Sequence, residues 1–246
     1  MSKGIFQFDM WGMTEDDLSG MWDWTSLKES VMKYGVCNSL FTAQMPVASS
    51  AKITGSFEMT EPAHSALFNR RVVGGEILIV NKYLIQDFEK LGIWSEDLKN
   101  DIILNEGSIQ NINFNHYLDV EDKNYNKKVK RIEHLISKYK TIWEISQREL
   151  IDMAADRAPY IDQSQSMNIY MGNPTLSKIT SSHFHGWEKG LKTLSYYIRT
   201  KAISTGAKHL AVDISKRERP VKEKPTVDVI PQKPQDSQFE CFGCSS

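Results

Sequence analysis

The sequence predicts an α/β protein with a parallel sheet, followed by a disordered C-terminal tail. Short apolar runs of strand length alternate along the chain with longer amphipathic stretches that have helical periodicity. The 246 residues are 40% hydrophobic, which is enough to build a sizeable core. Four of the eight prolines fall in the last part of the chain, where large apolar residues are rare.

Charge and hydropathy exclude several classes of protein. The 30 basic and 31 acidic residues give a net charge of −1, so nothing draws the whole chain to nucleic acid. The basic run at 127–131 is typical of a solvated helix face. No apolar run approaches the roughly 20 residues of a membrane span, and the N-terminus has no signal-peptide core. With three cysteines in such a chain, we expect a reducing, cytoplasmic location.

Four stretches predict helices. "SLKESVMKYG" begins with a capping-box pattern from Ser26 to Glu29 and ends at Gly35. "KYLIQDFEKLG" and "SEDLKNDIILNEG" are amphipathic and also end near glycine. The long stretch "RIEHLISKYKTIWEISQRELIDMAADRA" is predicted to be helical in two segments.

The strands are shorter, and they alternate with these helices. "GGEILIVN" (74–81) predicts a buried strand, and "APYIDQSQSMNIYMG" predicts a loop followed by a strand. Asn173-Pro174-Thr175 opens another helix, and the aromatic and β-branched "SYYIRTKAIS" favours a last strand. The polar stretch "NFNHYLDVEDKNYNKKVK" is expected to be a loop. This alternation predicts a parallel α/β arrangement.

The domain boundary is expected near residue 213. Residues 1–212 form the folded body, and residues 213–246 form a tail in which mixed charges surround prolines 220, 225, 231 and 234. Such a segment buries too little apolar surface to offset its ordering entropy, so it is predicted to be disordered.

The tail ends in a CxxC pair, Cys241 and Cys244. A thioredoxin-like site would place this pair at a helix start in a βαβ unit, and zinc would need about four ligands; neither context is present. An exposed dithiol on a flexible arm instead indicates disulfide exchange between two partners. We interpret Cys37 as a small buried core residue.

A first candidate site is the loop "AQMPVASSAKITG" (43–55). The small residues that follow Pro46, from Ala48 to Ser50, precede a short helix, where free N–H groups and hydroxyls could bind an anion. Many small-residue loops are simply turns, and the sequence by itself leaves both interpretations open.

Two further groups of residues could carry chemistry. Tyr196 and Tyr197 are adjacent; they either pack on the two sides of a strand, or form a pair of phenols able to pass a radical between them. His183 and His185 lack a nearby cysteine or carboxylate pattern, so we interpret them as structural or surface residues and predict no metal site. Asp162 and Glu188 could act as acid and base, but nothing in the sequence pairs them.

These motifs together resemble one family. "WDWTSLKESVMKYGVCNSLFTAQMPVASSAKITG", "NRRVVGGEILIVN", "AADRAPYIDQSQSMNI", "SSHFHGWEKGLKTLSYYIRT" and the terminal "ECFGC" are similar to the C-terminal part of the large (α) subunit of class I ribonucleotide reductase, of the eukaryotic and viral type. The resemblance extends over nearly all of residues 2–203 and the chain end. It implies the C-terminal half of a ten-stranded α/β barrel, followed by the tail.

The resemblance also implies roles for individual residues. The loop that matches Pro46, Val47, Ala48, Ser49 and Ser50 would hold the diphosphate of a ribonucleoside diphosphate substrate. Tyr196 and Tyr197 would relay a radical from the small (β) subunit. Cys241 and Cys244 would reduce the active-site disulfide and then be reduced by thioredoxin or glutaredoxin.

The same resemblance implies what this chain needs from elsewhere. The cysteine that forms the thiyl radical lies upstream of the matched region, so we expect activity only with the N-terminal half of the large subunit. This chain would bind no cofactor, because the radical comes from a metal-containing small subunit. We interpret the sequence as a fragment or as one half of a split subunit.

The sequence departs from the family at two positions, and it also allows a second function. Val47 replaces a usual threonine, which removes a hydroxyl from the loop; Cys37 replaces an arginine or aromatic residue. An alternative to reductase activity is a non-catalytic chain that binds the small subunit or complements another large subunit.

Overall fold

The structure, a computed structural model, describes residues 1–201. The predicted tail, residues 213–246, and the expected domain boundary near residue 213 lie outside the described residues. The described part contains two compact units, one made of Met1–Glu61 with Ser146–Arg199 and the other of Pro62–Ile145.

Eight helices and four strands are found in the described residues, together with several short 3-10 turns. The helices are α1 (Gln7–Met10), α2 (Trp24–Tyr34), α3 (Ala48–Thr54), α4 (Lys82–Leu91), α5 (Glu96–Leu104), α6 (Tyr125–Lys138), α7 (Gln147–Arg157) and α8 (Leu176–Glu188). The strands are β1 (Leu67–Val72), β2 (Gly75–Val80), β3 (Asn168–Tyr170) and β4 (Tyr197–Arg199). None of the helices in residues 1–201 is long and apolar enough to cross a membrane.

Side chains cap the start of several helices. Asn81 caps α4, Ser95 caps α5 and Thr175 caps α8, each by accepting a hydrogen bond from a backbone N–H in the first turn. The predicted start of α2 is wrong: Asp23, not Ser26, is its N-cap, and its carboxylate accepts the Ser26 N–H at 2.9 Å. The predicted end of α2 is confirmed, because Gly35 adopts a φ of +74°.

The second unit has its own apolar core. Its largest buried side chains include Phe88 of α4, Ile102 of α5, Leu135 of α6 and Phe114. Phe114 corrects the predicted loop at 113–130, which contains a 3-10 turn at Phe114–Tyr117 and the first residues of α6. Phe114 lies in a polar stretch of sequence, but its ring packs in the core beside Phe88.

The predicted strand at 74–81 forms, but not as expected. β2 pairs with β1 in an antiparallel hairpin, with Leu67 opposite Val80 and Val72 opposite Gly75. Its residues are exposed or half-buried rather than buried. The alternation that predicted parallel pairing therefore holds for the first unit and fails for this hairpin.

In the first unit, α7 and α8 are joined by charges. Asp152 of α7 lies 2.8 Å from His185 Nε2 and 3.4 Å from Lys189 Nζ. Burial acts to raise the pKa of Asp152, but the hydrogen bonds from His185 and Lys189 outweigh it and lower the pKa. This contact confirms a structural role for His185, and His183 is exposed with Nδ1 2.8 Å from the Ile179 carbonyl.

Candidate functional site

The candidate site is built on parallel backbone segments of the first unit. β3 pairs in parallel with β4, with Asn168 opposite Tyr197 and Tyr170 opposite Arg199. On the other edge, Gln44 and Gln165 form a parallel bridge, and the Ser166 N–H donates to the Gln44 carbonyl at 3.0 Å. The segment that leads to Gln44 thus extends the sheet as a third parallel chain segment.

Asp162 holds this third segment in place. Its carboxylate accepts the backbone N–H groups of Phe41 at 2.7 Å and Thr42 at 3.0 Å. The sequence could not reveal this, because the partners are about 120 positions apart. Asp162 therefore acts as a backbone anchor in the structure.

The predicted anion loop leaves the sheet directly after Gln44. Pro46 to Ser50 are exposed, and Val47 is the N-cap of α3. The Val47 N–H donates to the Glu58 carbonyl at 2.8 Å, so this donor is occupied, and proline has no N–H. The donors that remain for a ligand are the first-turn N–H groups of Ala48, Ser49 and Ser50, which have no acceptor within their own helix.

The chemistry of this loop suits an anion. The N-terminal end of a helix carries partial positive charge, and the hydroxyls of Ser49 and Ser50 can add donors. Val47 makes no side-chain hydrogen bond to the helix. Because Val47 has no hydroxyl, only Ser49 and Ser50 offer side-chain hydrogen bonds to a ligand in the stretch Pro46–Ser50.

The two tyrosines lie at the start of β4. Their ring centroids are 4.2 Å apart with an interplanar angle of 64°, an edge-to-face contact. Both are accessible, with Tyr196 62% and Tyr197 48% exposed. The two phenol rings are thus in contact with each other and accessible to solvent.

The surroundings of the pair affect its electrostatics. The hydrogen-bond interaction with Tyr197 raises the pKa of Tyr196 above its ordinary value. The Arg199 guanidinium lies 4.7 Å from the centre of the Tyr197 ring, a cation–π contact. The Tyr196 phenol therefore stays protonated at neutral pH, the form from which an electron and a proton can leave together.

Gln44, just before the loop, and the first tyrosine of the pair bind opposite edges of the same chain segment. Gln44, two residues before Pro46, is level with Gln165 on one edge. The Met167 carbonyl accepts the Tyr196 N–H at 2.6 Å on the opposite edge. Two inter-strand spacings separate the flanking backbones, a distance of about 10 Å.

The remaining predictions concern the cysteines and metal binding. Cys241 and Cys244 lie outside the described residues. The prediction that Cys37 is buried is wrong, because it is exposed and forms no disulfide within residues 1–201. No group of three potential metal ligands occurs in the part of the chain that the structure describes.

Sequence reasoning missed the side chains that support β3. Glu61 accepts the Asn168 N–H, and Gln147 Oε1 accepts the Tyr170 N–H at 2.8 Å. Both are buried, although such polar residues usually lie on surfaces. No local pattern in the sequence marks them, because each partner is distant along the chain.

Comparison with known proteins now identifies the class. Residues 1–197 match the family described as "Ribonucleotide reductase, barrel domain". The ribonucleoside-diphosphate reductase large chain of Cryptosporidium parvum is 45% identical over 92% of this chain and 26% of its own. The large chain of Neurospora crassa is 48% identical over 82% of this chain and 20% of its own.

A solved structure agrees with these sequence matches. The Actinobacillus ureae class Id ribonucleotide reductase alpha subunit matches with a TM-score of 0.50 and 28% identity, over 71% of this chain and 29% of that chain. The chain belongs to the ribonucleotide reductase barrel-domain family, which confirms the predicted fold class. It spans about a quarter of the length of the large subunits it matches.

Proposed function

We propose that this chain forms part of the barrel of a ribonucleoside-diphosphate reductase large subunit. The enzyme would reduce ribonucleoside diphosphates to deoxyribonucleoside diphosphates by radical chemistry. The observation that carries the proposal is the placement of an exposed anion loop and a contacting tyrosine pair on the two edges of one strand. The family membership supplies the reaction with which these two features agree.

The loop Pro46–Ser50 would hold the substrate diphosphate. Its free first-turn N–H groups and two serine hydroxyls match the acceptor-rich surface of a diphosphate. A short helix with one dipole contributes modestly, so affinity must also depend on groups from the rest of the barrel.

Tyr196 and Tyr197 would carry the radical toward the substrate. One step transfers a hydrogen atom from a phenol to its neighbouring phenoxyl radical, so the radical moves one residue and no net charge is created. The 4.2 Å separation of the ring centroids supports this exchange, because the two rings are in contact. The radical would enter from a small subunit, which carries its own metal; this chain would bind no cofactor.

The electrons would arrive through the C-terminal dithiol. Cys241 and Cys244 would reduce the disulfide formed at each turnover and be reduced in turn by thioredoxin or glutaredoxin. This exchange requires a reducing compartment, and we propose the cytoplasm.

The missing part of the barrel would cover the first unit. Most large apolar side chains exposed in residues 1–201 lie in this unit, including Met10, Trp22, Met32, Met45, Ile53, Phe57, Leu176, Phe184 and Trp187. Exposed apolar surface on this scale is typical of an interface. The upstream half of a large subunit, on the same polypeptide or another, is the partner that we propose.

Tyrosine substitution tests the proposed function. In a complex of this chain with the upstream half and a small subunit, Tyr197→Phe should abolish deoxyribonucleotide formation, because phenylalanine cannot form a phenoxyl radical. Binding of the small subunit should remain nearly unchanged. Tyr34→Phe, at an exposed tyrosine of α2, is the matched control and should retain activity.

Two outcomes would contradict the proposal. Normal turnover in the Tyr197→Phe complex would remove the radical role. A stable complex that binds the small subunit but never turns over, even with native tyrosines, would favour the non-catalytic alternative.

A further inference from the structure

β3 is the strand that locates the tyrosine pair. Asn168 lies opposite Tyr197 in the parallel register, and the Met167 carbonyl accepts the Tyr196 N–H at 2.6 Å. The Met171 N–H donates to the Arg199 carbonyl at 2.9 Å. Any shift of β3 along its own axis therefore moves the hydrogen-bond partners of both tyrosines.

The other edge of β3 has an unusual set of acceptors. Every second N–H, from residue 166 onward, points to this edge, as strand geometry requires. The Ser166 N–H binds the Gln44 backbone, but beyond it the neighbouring segment turns away into the anion loop. Side chains replace the missing strand there: Glu61 accepts the N–H of Asn168, and Gln147 accepts that of Tyr170.

Both acceptor side chains are almost completely buried. Glu61 is 7% and Gln147 2% exposed, so water cannot easily replace either one. Glu61 comes from the segment before the second unit and Gln147 from the first turn of α7. Two distant parts of the chain thus converge on consecutive N–H positions of one three-residue strand.

We propose that Glu61 and Gln147 are positioning residues for the tyrosine pair, which they hold in place by fixing the register of β3. A three-residue strand makes few ladder hydrogen bonds, so its register is weakly determined by pairing alone. A slip by one residue would turn Asn168 and Tyr170 to the opposite face and would move the ladder that carries Tyr197. This inference rests on the proposed function for its importance to turnover, but its structural part stands independently.

A fluorine probe reports on the contact between Tyr196 and Tyr197, and it does not require enzyme turnover. 3-Fluorotyrosine at position 196 of the full chain, in complex with the upstream half of a large subunit, has a 19F chemical shift that the ring current of the Tyr197 ring displaces. The change in this shift on Tyr197→Leu defines the coupling between the two positions. Repeating the pair of measurements in a Glu61 variant forms a double-mutant cycle.

Removal of the acceptor should weaken the coupling. We expect Glu61→Ala to reduce it to less than half, and Glu61→Gln to keep it, because the glutamine carbonyl still accepts the Asn168 N–H. Glu149→Ala, at an exposed acidic residue in the first turn of α7, is the matched control and should leave the coupling intact. If Glu61→Ala does not fold, Glu61→Asp, which withdraws the carboxylate by one methylene, should show a partial loss.

Turnover gives a second readout in the assembled enzyme. Glu61→Ala should lower kcat about tenfold or more while KM for substrate stays within about twofold, the change expected when only the reacting step is affected. A folded Glu61→Ala or Glu61→Asp chain with native coupling would overturn the inference, as would equal losses in Glu61→Ala and Glu61→Gln. If coupling is lost as expected but the native complex never turns over, the positioning role stands and the proposed function fails.

Discussion

Asp87 of α4 is a buried charge in the second unit. Its carboxylate accepts the Tyr139 hydroxyl at 2.8 Å and Lys138 Nζ at 3.1 Å, and Arg131 lies 3.4 Å away. All three partners lie on α6 or at its C-terminal end, so the carboxylate ties α4 to α6. The Tyr139 hydrogen bond, followed by those charges, lowers the pKa of Asp87 below its ordinary value.

We predict that Asp87→Asn destabilises the chain in a pH-dependent way. A carboxylate whose pKa is lower in the folded state adds stability above its unfolded pKa of about 3.9, and loses it as the pH falls through the folded value. The variant should therefore be less stable by about 2 kcal/mol at pH 7, and the difference from the native chain should shrink at pH 3.

Urea unfolding followed by circular dichroism at both pH values measures this difference. Glu121→Gln, at an exposed acidic residue of the same unit, is the control and should differ little from the native chain. A difference between Asp87→Asn and the native chain that is equal at pH 7 and pH 3 would contradict the assignment.

At the scale of elements, α3 begins without a side-chain cap. Val47 occupies the N-cap but has no oxygen with which to cap the helix or bind a ligand. Its side chain is exposed at the position where a ligand would approach the first turn.

We predict that Val47→Thr strengthens substrate binding. The added hydroxyl should lower KM about fivefold in the assembled enzyme, equivalent to about 1 kcal/mol for one new hydrogen bond. Steady-state kinetics of the assembled enzyme would measure this change. Val73→Thr, in the exposed turn of the β1–β2 hairpin, is the matched control and should leave KM unchanged. A KM that does not fall, or that rises, would place the diphosphate elsewhere.

Elements with local signals could be predicted from the sequence. α4 and α5 were predicted because their stretches are amphipathic and end near glycine, and α8 because Asn173-Pro174-Thr175 marks a helix start. The two segments predicted in the long helical stretch are α6 and α7. The loop and tyrosine motifs were also visible, since each is contiguous.

Elements that depend on distant partners could not be predicted. β1 and β2 pair antiparallel, whereas the alternation of strands and helices along the whole chain predicted parallel pairing. The hydrogen bonds from β3 to the side chains of Glu61 and Gln147 join residues that are 107 and 23 positions apart in the sequence. Cys37 was expected to be buried from its residue type, yet its surroundings in residues 1–201 leave it exposed.

At the scale of the whole molecule, the two units differ in how well they bury apolar surface. The second unit encloses a continuous core from Ala66 to Leu135. The first unit exposes aromatic and aliphatic residues on α2, α3 and α8, such as Met32, Ile53 and Trp187. A surface of this kind associates in water unless another chain covers it.

We predict that the chain alone self-associates and that a polypeptide with the upstream half of a large subunit suppresses this. Size-exclusion chromatography with light scattering should show large species for the isolated chain and a discrete complex after mixing. Binding of a hydrophobic dye should fall on mixing, because the apolar surface is covered. A monodisperse isolated monomer that unfolds cooperatively would contradict the prediction.

The most direct test of the central claim is reductase activity after assembly. This chain, the upstream half of a large subunit, a small radical subunit and a dithiol reductant are combined, and deoxyribonucleoside diphosphate formation is measured. Our account predicts turnover that requires every component and is lost with Tyr197→Phe. A stable, correctly assembled complex with no turnover would contradict it.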